Sequence, residues 1–311
     1  MNISIDKLKI CYTLSEQSYL HDLMENPTDE FEHPEWGFCL RRVEGKHFDH
    51  IYQIIYLDYT DNSMSEFNHQ CFGTLRWGLR SDKEGEMDRF VWIAIDNRQF
   101  YLNYDYNTKS RMIYLQYIEA MLGLCFHNLT QLDLAVDDGR NLSKRLIRAI
   151  RDESLVPIVN GRKVTERDQL IEDIVYFGIG DCRRVREQNL LVQQKNKDIR
   201  LMTYNKKREI ENASHKDYIL DANGNPPHLH RMEVRISSDS LREYIEKERI
   251  VYDPMMFLNE AWLWRTFLYF TGRVLRFQSA DSRKTYMFWR RWHSPLRRVL
   301  VNHPIRTSLS I

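Results

Sequence analysis

Alternation of apolar and polar residues recurs along this chain, and no other feature of the sequence constrains the fold as strongly. Side chains of a β-strand point in turn to its two faces, so an alternating segment is typical of a strand with one buried face. Residues 2–14 (NISIDKLKICYTL) show this pattern clearly. Similar segments, or runs rich in β-branched and aromatic residues, predict further strands at 50–58, 71–79, 89–102 with a hairpin turn at Asp96-Asn97, 129–138, 173–180 and 228–237. The segment 199–210 is predicted to start as a strand.

Helices are predicted between and after these strands. Residues 108–126 place apolar side chains three to four positions apart, as an amphipathic helix does. Residues 142–152 are predicted to form a second helix, with Asn141 or Ser143 as its N-terminal cap. Residues 237–248 predict another capped helix.

Together these elements predict an α+β fold with a largely antiparallel central sheet and flanking helices. The polar segment 181–198 lacks periodicity and is expected to be an exposed loop. The composition becomes aromatic and basic after Pro254, which predicts a domain over 1–250 followed by a helical, basic segment over 251–311.

Cysteine use and hydropathy limit the class of protein. The five cysteines are widely spaced and form no C-x-x-C pair, which argues against a disulfide framework or a structural zinc site. Charged residues interrupt the early apolar run and the later stretch 254–275, so we expect neither a signal peptide nor a membrane span. The sequence therefore predicts a cytoplasmic protein with no membrane contact.

The charge is distributed unevenly. Residues 1–100 hold 18 acidic and 10 basic residues, whereas residues 265–311 hold ten basic residues and one acid, Asp281. Arginine pairs with phosphates and aromatic rings stack on bases, so mixed arginines and tryptophans favour a DNA contact over a solvated tail. The predicted contacts at this end are Trp289, Arg290, Arg291, Trp292, Arg297 and Arg298. The alternative is that these aromatic residues close the core or a homodimer interface.

Two carboxylates share one face of the predicted strand 129–138. Leu132 and Leu134 form the apolar face, whereas Asp133 and Asp137 lie on the other. Hard divalent cations such as Mg²⁺ or Mn²⁺ prefer such oxygen ligands, although a solvated strand face would also fit the pattern.

Two later strands add basic residues and a tyrosine by the same alternation. Arg200, Tyr204 and Lys206 share one face of 199–210, and the face of 228–237 that carries Glu233 also carries two arginines, Arg231 and Arg235. Acid, base and tyrosine together are typical of a metal-dependent phosphotransfer site in which the tyrosine attacks phosphorus.

The strings LTQLDLAVDD, VYFG, IRLMTYNKKREIE and HRMEVRIS follow in this order. In this order they resemble the plasmid rolling-circle replication initiators of the Rep_trans family, over roughly residues 50–240. The resemblance implies that Tyr204 nicks one strand of the origin and keeps the 5′ phosphate covalently. It places Arg200 and Lys206 beside the scissile phosphate, and it makes Asp133, Asp137 and Glu233 the acidic, metal-associated positions. Arg231 and Arg235 would contact the DNA.

Two other interpretations of the sequence remain: a nickase with a different catalytic tyrosine, and a DNA-binding protein without catalytic activity. His228-Leu229-His230 imitates the metal motif of HUH nickases, and Tyr244 would then be the nucleophile. A non-enzymatic origin-binding protein would need only the basic end. The chain has no P-loop pattern, so a nickase of this kind implies a host helicase beside its double-stranded origin DNA and the nicked single strand.

Overall fold

The computed structural model describes residues 2–33, 36–56, 71–82, 85–101, 108–176, 189–194, 198–282 and 285–286. Up to residue 138 the elements are β1 (Asn2–Leu14), α1 (Leu20–Glu25), β2 (Glu30–Glu32), β3 (Phe38–Arg42), β4 (Phe48–Tyr56), β5 (Cys71–Leu79), β6 (Phe90–Ile95), α2 (Arg98–Tyr101), α3 (Thr108–Met121) and β7 (Leu124–Asp138).

The elements after residue 138 alternate between short strands and helices. They are α4 (Leu142–Arg151), β8 (Leu155–Val159), β9 (Arg162–Lys163), α5 (Arg167–Ile174), β10 (Val175–Tyr176), β11 (Asn189–Gln193), β12 (Ile199–Asn205), α6 (Lys206–Glu209), a π-helical turn (Ile210–Ser214), α7 (Asp217–Ala222), β13 (His230–Ser237), α8 (Ser238–Glu248), a 3₁₀ turn (Pro254–Leu258), α9 (Glu260–Val274), β14 (Leu275–Ser279) and β15 (Thr285–Tyr286).

The chain divides into two compact units. The N-terminal unit comprises Ile5–Asp133 and Ser237–Leu258, and the C-terminal unit comprises Met1–Ser4, Leu134–Ile236 and Asn259–Ile311. The α+β class and the largely antiparallel sheet are confirmed. The bounds of these two units differ from those of the predicted domains 1–250 and 251–311. Strands β1 and β7 each contribute residues to both units.

The N-terminal unit is built on strands in the order β7-β1-β6-β5-β4-β3-β2. Leu8 lies opposite Ile95 and Ile10 opposite Ile93, and all four side chains are buried on one face. Helix α3 packs on this face, since the Tyr12 hydroxyl donates a 2.7 Å hydrogen bond to Glu119.

The other face of the same strands is more polar. Lys9 lies opposite Ala94, and Arg76 of β5 lies opposite Trp92. Lys9 and Arg76 are both only partly buried.

The C-terminal unit holds strands in the order β10-β11-β12-β13-β7 and a smaller sheet in the order β15-β14-β8-β9. Ile199, Leu201 and Thr203 of β12 are buried, and they lie opposite the buried Ile236, Val234 and Met232 of β13. The alternation predicted for both strands is therefore present.

Several local predictions were wrong. Residues 89–102 do not form a hairpin, because Asp96 accepts a 2.8 Å hydrogen bond from the backbone of Arg98 and the chain turns into α2. The segment 181–198 contains the strand β11, in which Leu190 and Val192 are buried. Two buried residues in a short strand give too little periodicity to be recognised.

The predicted helix 108–126 also ends earlier than expected. Gly123 has a φ of 62°, a conformation that favours glycine, and it turns the chain from α3 into β7. No helix of the described residues is long and apolar enough to cross a bilayer.

A buried carboxyl in the N-terminal unit generates a pH-dependent prediction. Both Tyr12 and Tyr252 donate hydrogen bonds to Glu119, at 2.7 Å and 2.5 Å. Burial nevertheless raises the pKa of Glu119 above its ordinary value near 4.5. The folded state then binds the proton more tightly than the unfolded state, so stability falls as pH rises from about 4.5 through the raised pKa.

We expect the urea unfolding midpoint of the wild-type protein to fall between pH 5 and pH 8 more steeply than that of Glu119→Gln, which removes the titration. Glu246→Gln on the exposed surface of α8 is the matched control and should keep the wild-type slope. Identical pH slopes for Glu119→Gln and the wild type would contradict the prediction.

Candidate active site

Strands β12 and β13 present the predicted catalytic residues on one face of the C-terminal unit. Arg200 lies opposite Arg235, and Tyr204 lies opposite Arg231. Arg200, Tyr204 and Arg235 are partly exposed, whereas the alternate residues of both strands are buried in the core. Alternation therefore predicted the shared face of Arg200 and Tyr204, but Lys206, predicted on the same face, is the first residue of α6 and is buried.

The position of Tyr204 is fixed by its neighbours on β12. Asn205 ends the strand and caps α6, because its side chain accepts a 3.0 Å hydrogen bond from the backbone of Arg208. On the other side, the buried hydroxyls of Thr203 and Ser143 are hydrogen bonded at 2.7 Å, which ties β12 to α4. The tyrosine thus lies at the end of a strand that is held at both adjacent residues.

The Tyr204 hydroxyl has a carboxylate as its hydrogen-bond acceptor. It donates to Oε2 of Glu233 at 2.8 Å, and Glu233 is buried. A nucleophilic hydroxyl needs an adjacent base to take its proton, and a carboxylate at this distance can do so. The side chain of Arg235, which is 38% exposed, has a terminal nitrogen 3.6 Å from Oε1 of the same carboxylate.

Arg200 and Arg235 form a like-charged pair directly opposite each other across β12 and β13. Like charges at such positions are destabilising unless an anion lies near them. The Nε of Arg200 is buried and has no hydrogen-bond partner among the described residues. A phosphate oxygen would supply the acceptor that this Nε lacks.

Lys206 is held close to the tyrosine. Its buried ammonium donates a 2.6 Å hydrogen bond to Glu209 and lies 5.9 Å from the centre of the Tyr204 ring. Glu209 was missed in the sequence. Lys206 and Glu209 are three residues apart in a helix that Asn205 caps, and this spacing is a recognisable pattern for an ion pair on a helix.

Arg231 and Asp137 form a buried, bidentate ion pair. Nε and a terminal nitrogen of the guanidinium each donate a 2.7 Å hydrogen bond to one carboxylate oxygen. Arg231 is 0% exposed, so its predicted contact with DNA is corrected: the side chain stabilises the sheet and does not reach the surface.

The three predicted metal ligands do not fit a divalent ion in this arrangement. Both oxygens of Asp137 accept from Arg231, and both oxygens of Asp133 accept from Gln131 at 2.9 Å and 3.0 Å. Glu233 accepts from Tyr204. Within the described ranges, no group of three or more His, Cys, Asp or Glu side chains could hold a metal.

The three residues of the HUH interpretation, Tyr244, His228 and His230, differ in how far they are exposed. Tyr244 lies on α8 in the N-terminal unit and is only 5% exposed. His230 is buried on β13, whereas His228 is exposed and precedes the strand. A buried tyrosine is poorly placed to attack DNA.

The basic C-terminal prediction concerns residues that are not described. Trp289, Arg290, Arg291, Trp292, Arg297 and Arg298 all lie outside the described ranges. Their contact with DNA stays a prediction.

Comparisons with known proteins found likeness only among solved structures, since no family model and no curated protein matches the chain. A rolling circle replication initiator protein from Geobacillus stearothermophilus is 12% identical, with 96% of each chain covered and a TM-score of 0.45. The Methanococcus jannaschii TBP is 9% identical, with 80% of this chain and 97% of that chain covered and a TM-score of 0.27. Neither TM-score reaches 0.5, so neither likeness supports a conclusion about function.

The ion pair beneath the site gives a stability prediction. Asp137→Ala should lower the free energy of unfolding by about 3–5 kcal/mol, because it leaves the Arg231 charge buried without a partner. Replacing both residues, with Asp137→Leu and Arg231→Met, should recover much of that loss. Urea unfolding measures all three proteins.

The matched control removes an exposed carboxylate instead. Asp239→Ala breaks the surface pair with Arg242 (3.3 Å) and should cost less than about 1 kcal/mol. The importance of the buried pair is refuted if Asp137→Ala costs no more than this control.

Proposed function

We propose that this chain is a site-specific DNA nickase and strand-transferase that initiates rolling-circle replication of a plasmid or mobile element. The observation that carries the proposal is the hydrogen bond from the Tyr204 hydroxyl to Glu233, beside the Arg200–Arg235 pair. A nucleophile, its proton acceptor and two phosphate-binding cations on one sheet face are the groups that a phosphoryl transfer requires.

The reaction uses each of these groups once. Glu233 takes the proton of the Tyr204 hydroxyl while the phenolic oxygen bonds to phosphorus. The bond from phosphorus to the 3′ oxygen breaks, and the leaving oxygen takes up a proton from water. Arg200 and Arg235 hold the non-bridging oxygens, where negative charge increases in the transition state. Lys206 adds positive charge close to the same tyrosine.

The covalent product explains how the strand can be closed again. Tyr204 keeps the 5′ phosphate as a phosphotyrosine, so the number of phosphoester bonds is unchanged. A later 3′ hydroxyl can attack the phosphotyrosine and release the tyrosine, with Glu233 returning its proton. Strand transfer therefore needs no nucleotide triphosphate.

The partners follow from this reaction. The protein would act in the cytoplasm on double-stranded origin DNA, release a nicked single strand and depend on a host helicase to unwind it. The exposed arginine of the site, Arg235, and the basic C-terminal residues would supply the DNA contacts.

The nucleophile is tested by single substitutions. Tyr204→Phe should leave the fold and DNA binding intact and abolish nicking of a supercoiled origin plasmid, because only the hydroxyl is lost. Glu233→Gln should slow nicking by about 10²–10⁴-fold, the usual contribution of a general base. Mass spectrometry should map the DNA adduct of the wild-type protein to the peptide that contains Tyr204.

Tyr244→Phe is the matched control, since it removes another tyrosine hydroxyl from the same chain. It should nick at the wild-type rate. If Tyr204→Phe still nicks and Tyr244→Phe does not, the HUH interpretation is correct and this one is wrong.

The requirement for Mg²⁺ or Mn²⁺ stays a prediction from the family resemblance, which implies that EDTA stops nicking and that added metal restores it. Binding of a metal by Asp137 would require Arg231 to release that carboxylate. If Asp133 takes part, Asp133→Asn should then raise the metal concentration needed for half-maximal nicking. Undiminished nicking in excess EDTA would eliminate the metal prediction.

A further inference from the structure

A cleft of about 210 Å³ opens on the polar sheet face of the N-terminal unit. It lies on the side of β1 and β6 opposite the face that α3 covers, and its described lining residues include no aspartate or glutamate. This absence is notable because residues 1–100 as a whole carry a net charge of −8. Its lining residues include Lys9, Phe48, Arg76, Trp92 and Gln131.

Arg76 is the charged group of the cleft that most requires an anion. Its Nε donates a 2.9 Å hydrogen bond to the Thr74 hydroxyl, and no carboxylate among the described residues is paired with it. Burial lowers the pKa of its guanidinium. A partly buried guanidinium without a counter-charge is costly, and a phosphate matches its remaining N–H groups in geometry and charge.

An aromatic wall lies beside this cation. The rings of Phe48 and Trp92 pack with their centres 5.3 Å apart, and Phe48 remains only partly buried. Aromatic rings next to basic side chains form the combination that binds single-stranded nucleic acid, because bases stack on the rings while phosphates meet the cations.

Gln131 connects the cleft to a residue that the sequence singled out. It lines the cleft, and its side-chain amide donates to both oxygens of Asp133. The buried Asp133 thus holds a polar lining residue in place.

We propose that this cleft binds one nucleotide of a single-stranded DNA, with its phosphate against Arg76 and Lys9 and its base against Phe48. The inference rests on the proposed function in taking DNA as the polymer. It adds a binding site for the displaced strand that does not include Tyr204.

The test measures binding of a fluorescent single-stranded oligonucleotide to full-length Tyr204→Phe protein over a series of KCl concentrations. Arg76→Gln should weaken binding and reduce the slope of log affinity against log salt by about 0.7, the value for one phosphate contact on a single strand. Lys9→Gln should reduce the slope in the same direction. Phe48→Leu should weaken binding by roughly tenfold with an unchanged slope, because it removes a stacking ring and no charge.

Arg80→Gln is the matched control. Arg80 follows the same strand, is exposed and pairs with Asp49 at 2.8 Å, so its substitution changes the net charge equally outside the cleft. It should leave the slope unchanged. Thermal melting checks that each variant is folded, and Lys9→Gln tests the same phosphate contact if Arg76→Gln does not fold.

Three results would overturn the inference: an unchanged slope for folded Arg76→Gln and Lys9→Gln, an equal loss of slope in Arg80→Gln, or competition by a poly-glutamate peptide as strong as that by unlabelled oligonucleotide. The binding assay contains no nicking step. Continued nicking by Tyr204→Phe would therefore refute the proposed nucleophile while leaving the slope measurements to decide on the cleft.

Discussion

The paired hydrogen bonds between Arg231 and Asp137 are the interaction on which the candidate active site depends. Asp137 belongs to β7 and Arg231 to β13, so the pair fixes these two strands of the C-terminal unit side by side at a buried position. Two residues further along β13 lies Glu233, the acceptor for Tyr204. A buried ion pair of this kind contributes little net stability, but the loss of either partner is severe. Its importance here is that it positions the strand from which Glu233 accepts the Tyr204 hydrogen bond.

Alternation predicted much of this arrangement. The separation of Tyr204 and Arg200 from the buried face of β12, and of Glu233 from the buried face of β13, follows from side chains that point in turn to two faces. Which strands are neighbours does not follow, because alternation within one strand carries no information on pairing. The sequence could therefore suggest a shared metal for Asp137 and Glu233, but it could not show that Arg231 engages one and Tyr204 the other. The register between β12 and β13 decides this.

The wrong local predictions arose where the local sequence pattern was weak or fitted more than one structure. Asp96 was expected in a hairpin turn, yet its side chain accepts a backbone N–H and begins a helical turn, which is an equally common use of aspartate. The strand β11 was missed because only Leu190 and Val192 mark its buried face. The cleft beside Arg76 was also missed, since its residues come from separate strands and each alone resembles an ordinary solvated side chain.

The register of β12 against β13 also restricts how related sequences can differ in length. A single residue inserted into β12 before Tyr204, or into β13 before Glu233, would exchange the faces of the residues that follow it, and the Tyr204–Glu233 hydrogen bond would be lost. The sheet could still form without this contact. Length changes that keep the hydrogen bond are therefore confined to the connections, such as the stretch between α7 and β13. An alignment that places a gap inside 199–205 or 230–237 would join chains that do not share this site.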